Sequence, residues 1–357
     1  MKQNERKEIV SSMNKKSSTI YDISEKVQLS PATISRALNH PEQVSLKTRQ
    51  LILDAMEDTN YKKRKYGAPK TEIKDSMQKR TLGNHFVLNI PTSRNPFYED
   101  IIEGAILAAD QHGCHIFADY TTLTEKNLDS FLYIMNESQF CGLITMGANT
   151  ASMLQRMKDT LPVVQCSEYN EAFSDMSYVC IDDSNAEKKA TEYILSTGCR
   201  DIAFISSSIQ YKYAYRRLHG FQEAIKEASI LLPEEWIIQL PQINFSIGYD
   251  AALKLLSSNS RPHAIICVSD VYAAACIKAA HDLTIRIPDE LLIVGFDNIS
   301  LAISTSPSIT TIDQPRFQLG YNAFELLYQE VKQKSLIRQQ IILPTELIVR
   351  ESTSLKR

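Results

Sequence analysis

Apolar positions fall into two regimes along this chain. Near its start, Ile20, Ile23 and Val27 recur three and four apart, the spacing of one helical face. After Leu29 and Ser30, a second stripe of the same period is formed by Ile34, Ala37 and Leu38. Ser30 offers its side-chain oxygen as an N-cap, and Pro31 stands at the first helical position, where a missing N–H costs nothing. The spacing predicts two short helices joined by a tight turn. A third helix follows, with Ser45 as its cap and Leu46, Ile52, Leu53 and Met56 facing the first two. From residue 82 onward the pattern changes. Short apolar runs predict strands over 86–90, 115–120, 142–146, 163–166, 178–181, 202–206, 264–268 and 292–296. Helical periods lie between most of them, over 97–112, 125–137, 186–197, 215–228, 248–257, 271–282 and 317–333. Such alternation builds βαβ units and parallel sheets. The length of this region suits two doubly wound subdomains rather than one sheet.

The polar face of the second helix carries Ala32, Thr33, Ser35, Arg36 and Asn39. These are small or hydrogen-bonding side chains with a single cation, a surface suited to a DNA major groove. A helix-turn-helix puts its second helix there, with N-terminal residues at base edges. Arg36 would bond a guanine or a phosphate. Thr33 and Ser35 would hold base edges or backbone, and Ala32 would meet a thymine methyl. Ser30 and Pro31 open the helix, and Tyr21 and Asn39 would anchor phosphates. Thr48 and Arg49, near the start of the third helix, can face phosphates as well, and its cap Ser45 is counted with the DNA-binding residues. Charge supports this division. Residues 1–80 hold 17 Lys+Arg against 10 Asp+Glu, a net of +7, so the remaining 22 basic and 32 acidic residues give −10. A basic head on an acidic body meets a polyanion through the head alone.

The segments Tyr21-Asp22-Ile23, Leu29 to Asn39, Val44-Ser45 and Lys47-Thr48-Arg49 together resemble the DNA-binding headpiece of the LacI/GalR family of bacterial regulators. The resemblance continues through the body. Pro91 to Tyr98 follows the first strand, and Asp182-Asp183 precedes a helix that opens the second lobe. Arg217 to Phe221 lies on a helix. Val268 to Asp270 and Val294 to Asp297 end strands, and Thr310 to Pro315 lies at a return crossover. The resemblance implies a helical headpiece followed by an α/β core of the periplasmic-binding-protein-like type I form, with two parallel-sheet subdomains and three crossovers near 177, 305 and 337. The implied organisation is a mobile arm (1–18), a headpiece (19–61), a basic linker or hinge (62–81) and a core (82–350). The core's N-subdomain spans about 82–177 and 306–336, and its C-subdomain about 178–305 and 337–350.

The same resemblance implies a homodimer on near-palindromic operator DNA. A small effector, a sugar, sugar phosphate or nucleoside, is expected between the lobes, and the regulated genes are those of a carbohydrate or related catabolic operon. Its contacts would be Phe97, Tyr98, Ser167, Glu168, Arg217, Ser269 and Asp297. Asp270 is expected to cap a helix, as is Asp297 in a rival reading. Ser167 stands where several relatives have Asp, and Ser269 where the family often has Asn. Arg216 reads as a surface arginine.

The linker departs most from the family. Lys63 and Arg64 stand at the positions of Pro and Asn, and Lys70 at that of a minor-groove wedge Leu. Gly67 and Pro69 disfavour a hinge helix. The basic cluster Lys62 to Lys70 either contacts phosphates or the minor groove, or remains a solvated linker. Residues 1–18 precede the family's usual start, and Met13 is an alternative to Met1 as the first residue. After Leu347 no heptads occur, so no tetramerising coiled coil is expected.

Other classes find little support. No apolar run reaches the length of a membrane span, and no secretory h-region is present, which places the chain in the cytoplasm. The seven cysteines lack C-x-x-C pairs and read as reduced thiols. No H-E-x-x-H, G-x-S-x-G or P-loop occurs, so neither a metal, a cofactor nor an enzyme activity is expected. Arg36→Ala is expected to cost about 1–3 kcal/mol of specific DNA binding. A gel-shift titration on a selected operator checks this, and unchanged affinity would remove Arg36 from the interface.

Overall fold

The computed structural model describes residues 24, 26–30, 33–34, 44–58, 84–92, 95–173, 175–332 and 338–354. Tyr21, Pro31, Ala32, Ser35, Arg36, Asn39, the arm 1–18 and the linker 62–81 lie outside the described residues. The chain divides into two units, between residues 80 and 81.

In the first unit, helix α1 spans Leu46–Asp58. Ile34, Ile52 and Ala55 form a small buried cluster, with Val27, Leu29, Val44 and Met56 packed round it. Both predicted caps are present. Ser30 Oγ accepts the Thr33 N–H at 3.2 Å, and Ser45 Oγ accepts the Thr48 N–H at 3.1 Å. Each serine hydroxyl also bonds the threonine hydroxyl three residues on, at 2.9 and 2.8 Å.

In the second unit, the chain runs β1 (His85–Asn89), α2 (Tyr98–Gln111), β2 (His115–Asp119), α3 (Leu128–Glu137), β3 (Gly142–Thr145), α4 (Ala151–Thr160), β4 (Val163–Cys166) and β5 (Tyr178–Ile181). It continues through α5 (Asp183–Ser196), β6 (Ile202–Ser207), α6 (Lys212–Glu227), β7 (Ile237–Leu240), α7 (Phe245–Leu256), β8 (Ala264–Cys267), α8 (Asp270–Asp282) and β9 (Leu292–Asp297). It ends with α9 (Ser300–Ser304), β10 (Thr310–Asp313), α10 (Arg316–Lys332), β11 (Gln340–Leu343) and β12 (Glu346–Ile348). One six-stranded sheet has the order β11-β5-β4-β3-β1-β2, and the other β12-β10-β9-β8-β6-β7. All pairs are parallel except β10 with β12.

The pleat sorts side chains into layers. In the first lobe Phe86, Leu88, Ile144 and Val164 join the cluster under α2 and α10, while Val87, Leu143 and Val163 join the one under α3 and α4. The second lobe buries one larger cluster, to which β6, β8 and β9 contribute almost every residue. Those three strands are near-continuous apolar runs because helices cover both faces.

The chain changes sheet after β5, after β10 and between β11 and β12. The crossovers therefore lie near 182, 314 and 344, later than the expected 177, 305 and 337. Each of β5, β10 and β11 completes its ladder with the lobe it is leaving before the chain turns away, which sequence spacing does not reveal. Helix α4 and strands β7, β10, β11 and β12 were also not expected. Four of these are short, and β7, β11 and β12 are half-exposed edge or near-edge strands with weak apolar signals.

Two helices of the first lobe approach unusually closely. A Cβ on Gly104 of α2 would lie 2.0 Å from the Phe317 carbonyl oxygen of α10, and one on Gly320 of α10 would lie 1.9 Å from that of Ile101. Each glycine is thus the seat for the other helix's backbone. Gly320→Ala should force the pair apart and destabilise the core by about 1–3 kcal/mol. Thermal unfolding checks this; an unchanged Tm would mean that the helices have room to spare.

Candidate functional site

In an open parallel sheet, ligands bind beyond the carboxyl ends of the strands where strand order reverses. Here β1 lies between β2 and β3, and β6 between β7 and β8. The two reversal points therefore lie at the ends of β1 and β3 in one lobe and of β6 and β8 in the other. The segments that follow them carry most of the candidate residues.

Arg217 is the centre of the second-lobe half. It projects from α6 and is 4% exposed. Its Nε donates to Asp183 Oδ1 at 2.8 Å, and Nη1 donates to the Val268 carbonyl at the end of β8 at 2.6 Å. Asp297 Oδ1 lies 3.5 Å from Nη1 and accepts the Gln314 Nε2 at 2.6 Å. The guanidinium stacks on the Phe296 ring, 3.5 Å from its centroid, with Tyr213 at 5.0 Å. Burial raises the Asp297 carboxyl to about 6, against the opposing pull of Arg217. Asp183 is pushed up by burial as well, and Arg217 again opposes this. Asp297 holds a backbone φ of +104°, a region that side-chain-bearing residues rarely adopt.

The first lobe brings two groups to meet these. Tyr98, half-buried at the start of α2, has its hydroxyl pKa raised by burial and then by Tyr213, Glu168 and Asp297, which places it within their field. Glu168 is 7% exposed and faces α6: its carboxylate accepts the Lys212 N–H at 3.1 Å and the Tyr213 N–H at 3.0 Å. Burial raises its pKa and those two N–H groups hold it down. Beside them opens a cavity of about 810 Å³, lined by 147–150 and 168–172 from the first lobe and by Ser184, Ile209, Gln210, Lys212, Tyr215, Arg216 and His219 from the second. At its wall Glu171 pairs with Lys212 Nζ at 2.8 Å and with Arg216. Burial lowers Lys212 to about 8.

Tyr98, Glu168, Arg217 and Asp297 are thus brought together. Phe97 is 7% exposed within the first-lobe core, with Tyr98 edge-on at 5.3 Å. Ser167 sits at φ +66° beside Glu168, its N–H bonded to the Val179 carbonyl at 2.8 Å. Ser269 is fully buried and caps α8, accepting the Val271 N–H at 3.2 Å. The cap expected of Asp270 is therefore supplied one residue earlier. Asp270 instead accepts from the Ile299 N–H at 2.9 Å and from Thr311 Oγ1 at 2.7 Å. Asp297 caps no helix: α9 begins after Ile299 without a side-chain cap. Arg216 is not a bare surface arginine but lines the cavity. Lys212, Tyr213 and Asp183 were missed as site residues. Asp182-Asp183 stood out as a pair, whereas Lys212 and Tyr213 had no local signal.

Comparison with known proteins bears on the family and the fold. A family model described as bacterial regulatory proteins, lacI family, matches residues 19–63, and one for a periplasmic binding protein-like domain matches 191–353. The HTH-type transcriptional regulator DegA of Bacillus subtilis (strain 168) is 31% identical over 341 residues, covering 94% of this chain and 98% of that protein. The HTH-type transcriptional repressor CytR of Escherichia coli (strain K12) is 27% identical over 337 residues, covering 94% and 96%. The structure of a transcriptional regulator CelR–cellobiose complex superposes with a TM-score of 0.70 at 22% identity, covering 94% of this chain and 99% of that one. The chain belongs to the lacI family of DNA-binding transcriptional regulators, proteins with an effector-binding core and no enzymatic activity.

One buried group near the site stands outside these contacts. Glu187 of α5 is fully buried, and neither carboxyl oxygen has a hydrogen-bond partner among the described residues. Burial raises its pKa from 4.5 to about 8. The folded state thus binds a proton that the unfolded chain releases above about 4.5, and stability falls as pH rises from there through 8. Glu187→Gln keeps the neutral form. Its Tm should match wild type near pH 5 and exceed it at pH 9, by an amount corresponding to a few kcal/mol at most. Parallel pH curves for the two proteins would show that Glu187 does not titrate in this window.

Proposed function

We propose that this chain is a cytoplasmic repressor that binds a near-palindromic operator as a homodimer and answers to a sugar, sugar phosphate or nucleoside held between its lobes. In this reading the headpiece over 19–61 contacts DNA through Tyr21, Ser30, Pro31, Ala32, Thr33, Ser35, Arg36, Asn39, Ser45 and Thr48. The basic linker 62–81 joins it to the core. No helix among the described residues is long and apolar enough to cross a membrane.

The observation that carries the reading is the buried pair Arg217 and Asp297 beyond the strand ends, with half-buried Tyr98 within their field. A planar donor fork, a carboxylate and a phenol suit a polyhydroxylated ligand, because each ligand hydroxyl both donates and accepts. The aromatic faces of Phe296 and Tyr213 bracket the guanidinium and fix its plane. Phe97 supports Tyr98 from the core side. The solved CelR complex, in which a protein of this fold holds cellobiose, favours a carbohydrate.

Dimerisation is supported by the first lobe's outer edge. Ile106 and Leu107 of α2, Phe117 of β2 and Tyr120 just beyond it are 43–50% exposed along the unpaired side of edge strand β2. An open apolar edge of this kind is stabilised when a second copy covers it.

A thermal-shift screen of sugars, sugar phosphates and nucleosides identifies the ligand, since binding to the folded state raises Tm. With that ligand, Arg217→Ala should lose both the thermal shift and the change in operator affinity, while operator binding itself persists. A normal response in Arg217→Ala would take Arg217 out of the site. Failure to enrich a palindrome in a random-sequence selection would overturn the operator reading.

A further inference from the structure

The first four N–H groups of an α-helix have no partner within it, and the helix dipole adds partial positive charge there. Most long helices of the second lobe solve this locally. Asp182 caps α5, Asn244 caps α7 and Ser269 caps α8. Helix α6 does not, because its flanking residue Tyr211 makes no side-chain cap. Its first two N–H groups are satisfied across the cleft by Glu168 of the first lobe, 44 and 45 residues away in sequence.

The loop that delivers Glu168 is stiff. Ser167 takes φ +66°, and the Glu168 N–H closes back on the Cys166 carbonyl at 2.8 Å. Tyr169 stacks on Tyr178 at 4.1 Å, and the Asn170 N–H is held by Gln165 Oε1 at 2.9 Å. All of these partners belong to the first lobe, so the contacts that shape the loop do not involve the second. The same loop grips α6 twice more. Glu171 pairs with Lys212 and Arg216, and the Lys212 ammonium sits 3.1 Å over the Tyr169 ring.

We propose that residues 167–171 are a built-in clamp that ties the first lobe to α6, with Glu168 standing where an acid group of a ligand would otherwise cap that helix. Two consequences follow for the site proposed above, on whose reading as an effector cleft this rests. The clamp is made wholly by the chain's own residues, so it joins the lobes without needing a ligand between them. And the helix N-terminus is closed to anions, so the cleft favours ligands that present hydroxyls rather than a carboxylate or phosphate at α6.

Hydrogen exchange on the full-length, ligand-free protein tests the clamp directly. First-turn amides exchange fast unless something caps them, so the Lys212 and Tyr213 amides report on Glu168 alone. In wild type they should be protected. In Glu168→Ala they should exchange at least about tenfold faster, while the rest of α6 keeps its wild-type rates, and added acetate should restore part of the protection. If Glu168→Ala loses protection throughout the core, Glu168→Gln serves in its place. Its single side-chain carbonyl should give intermediate rates at the same two amides. Equal exchange at Lys212 and Tyr213 in wild type and in the folded variant would overturn the clamp. Operator affinity and the Arg217→Ala response are measured separately, so a failed clamp and a failed effector reading are distinguishable.

Discussion

A guanidinium buried to 4% exposure is tolerable only if every side of it is matched, and Arg217 organises the core by that requirement. Asp183 at the head of α5, the Val268 carbonyl at the end of β8, Asp297 at the end of β9 and the face of Phe296 each supply one side. Remove one and a buried charge is left uncompensated. Four separate segments of the second lobe are thereby fixed at one point, and the rare backbone conformation of Asp297 is held there.

The same array lies on the segments along which the lobes are joined. Asp183 follows the first crossover directly. Asp297 is tied to Gln314 at the second. Its neighbour Asn298 donates to Asp313 at 2.8 Å and accepts from Arg350, beyond the third crossover, at 2.7 Å. Arg316 closes the circuit: it donates to the Asn298 carbonyl at 3.0 Å and pairs with Asp100 of α2 at 2.7 Å. A ligand seated against Arg217 would therefore touch a network that reaches all three crossovers. A preference of that ligand for one lobe orientation shifts the equilibrium between orientations by its differential affinity. The Glu168 loop acts from the cavity side on the same helix, α6, so both ends of the Lys212-to-Arg217 segment are held by groups outside the helix.

Close packing limits how these contacts can be rearranged. Gly295 sits in β9 under Asp270, where a Cβ would fall 2.2 Å from Asp270 Oδ1. Only that absence lets Asp270 reach Ile299 and Thr311, and so pin the loop after β9 to β10. The glycine pair of α2 and α10 plays the corresponding part in the first lobe.

Much of this was legible in the chain itself. Period and alternation revealed the headpiece helices, the two serine caps and the βαβ order, because burial on one face imposes its spacing whatever the neighbours are. Arg217 and Asp297 stood out only through their resemblance to a family motif, and Glu168 only as a substitute for its neighbour Ser167. What the spacing left undetermined were interactions between segments far apart in sequence. The crossovers fall after β5, β10 and β11 because those strands first pair with the sheet they are leaving, and partner choice leaves no mark on a short strand. Ser269 rather than Asp270 caps α8 because Asp270 is drawn to Ile299 and Thr311. Lys212 and Tyr213 meet Glu168 through their backbone N–H groups, which every residue except proline carries, and their side-chain contacts are with Glu171, Tyr169 and Arg217, far away in sequence or on the next turn, so nothing local marked them. Local order was written in the sequence; which distant carboxylate satisfies the buried Arg217 was decided by the folding of the second lobe, and which one caps α6 only when the two lobes came together.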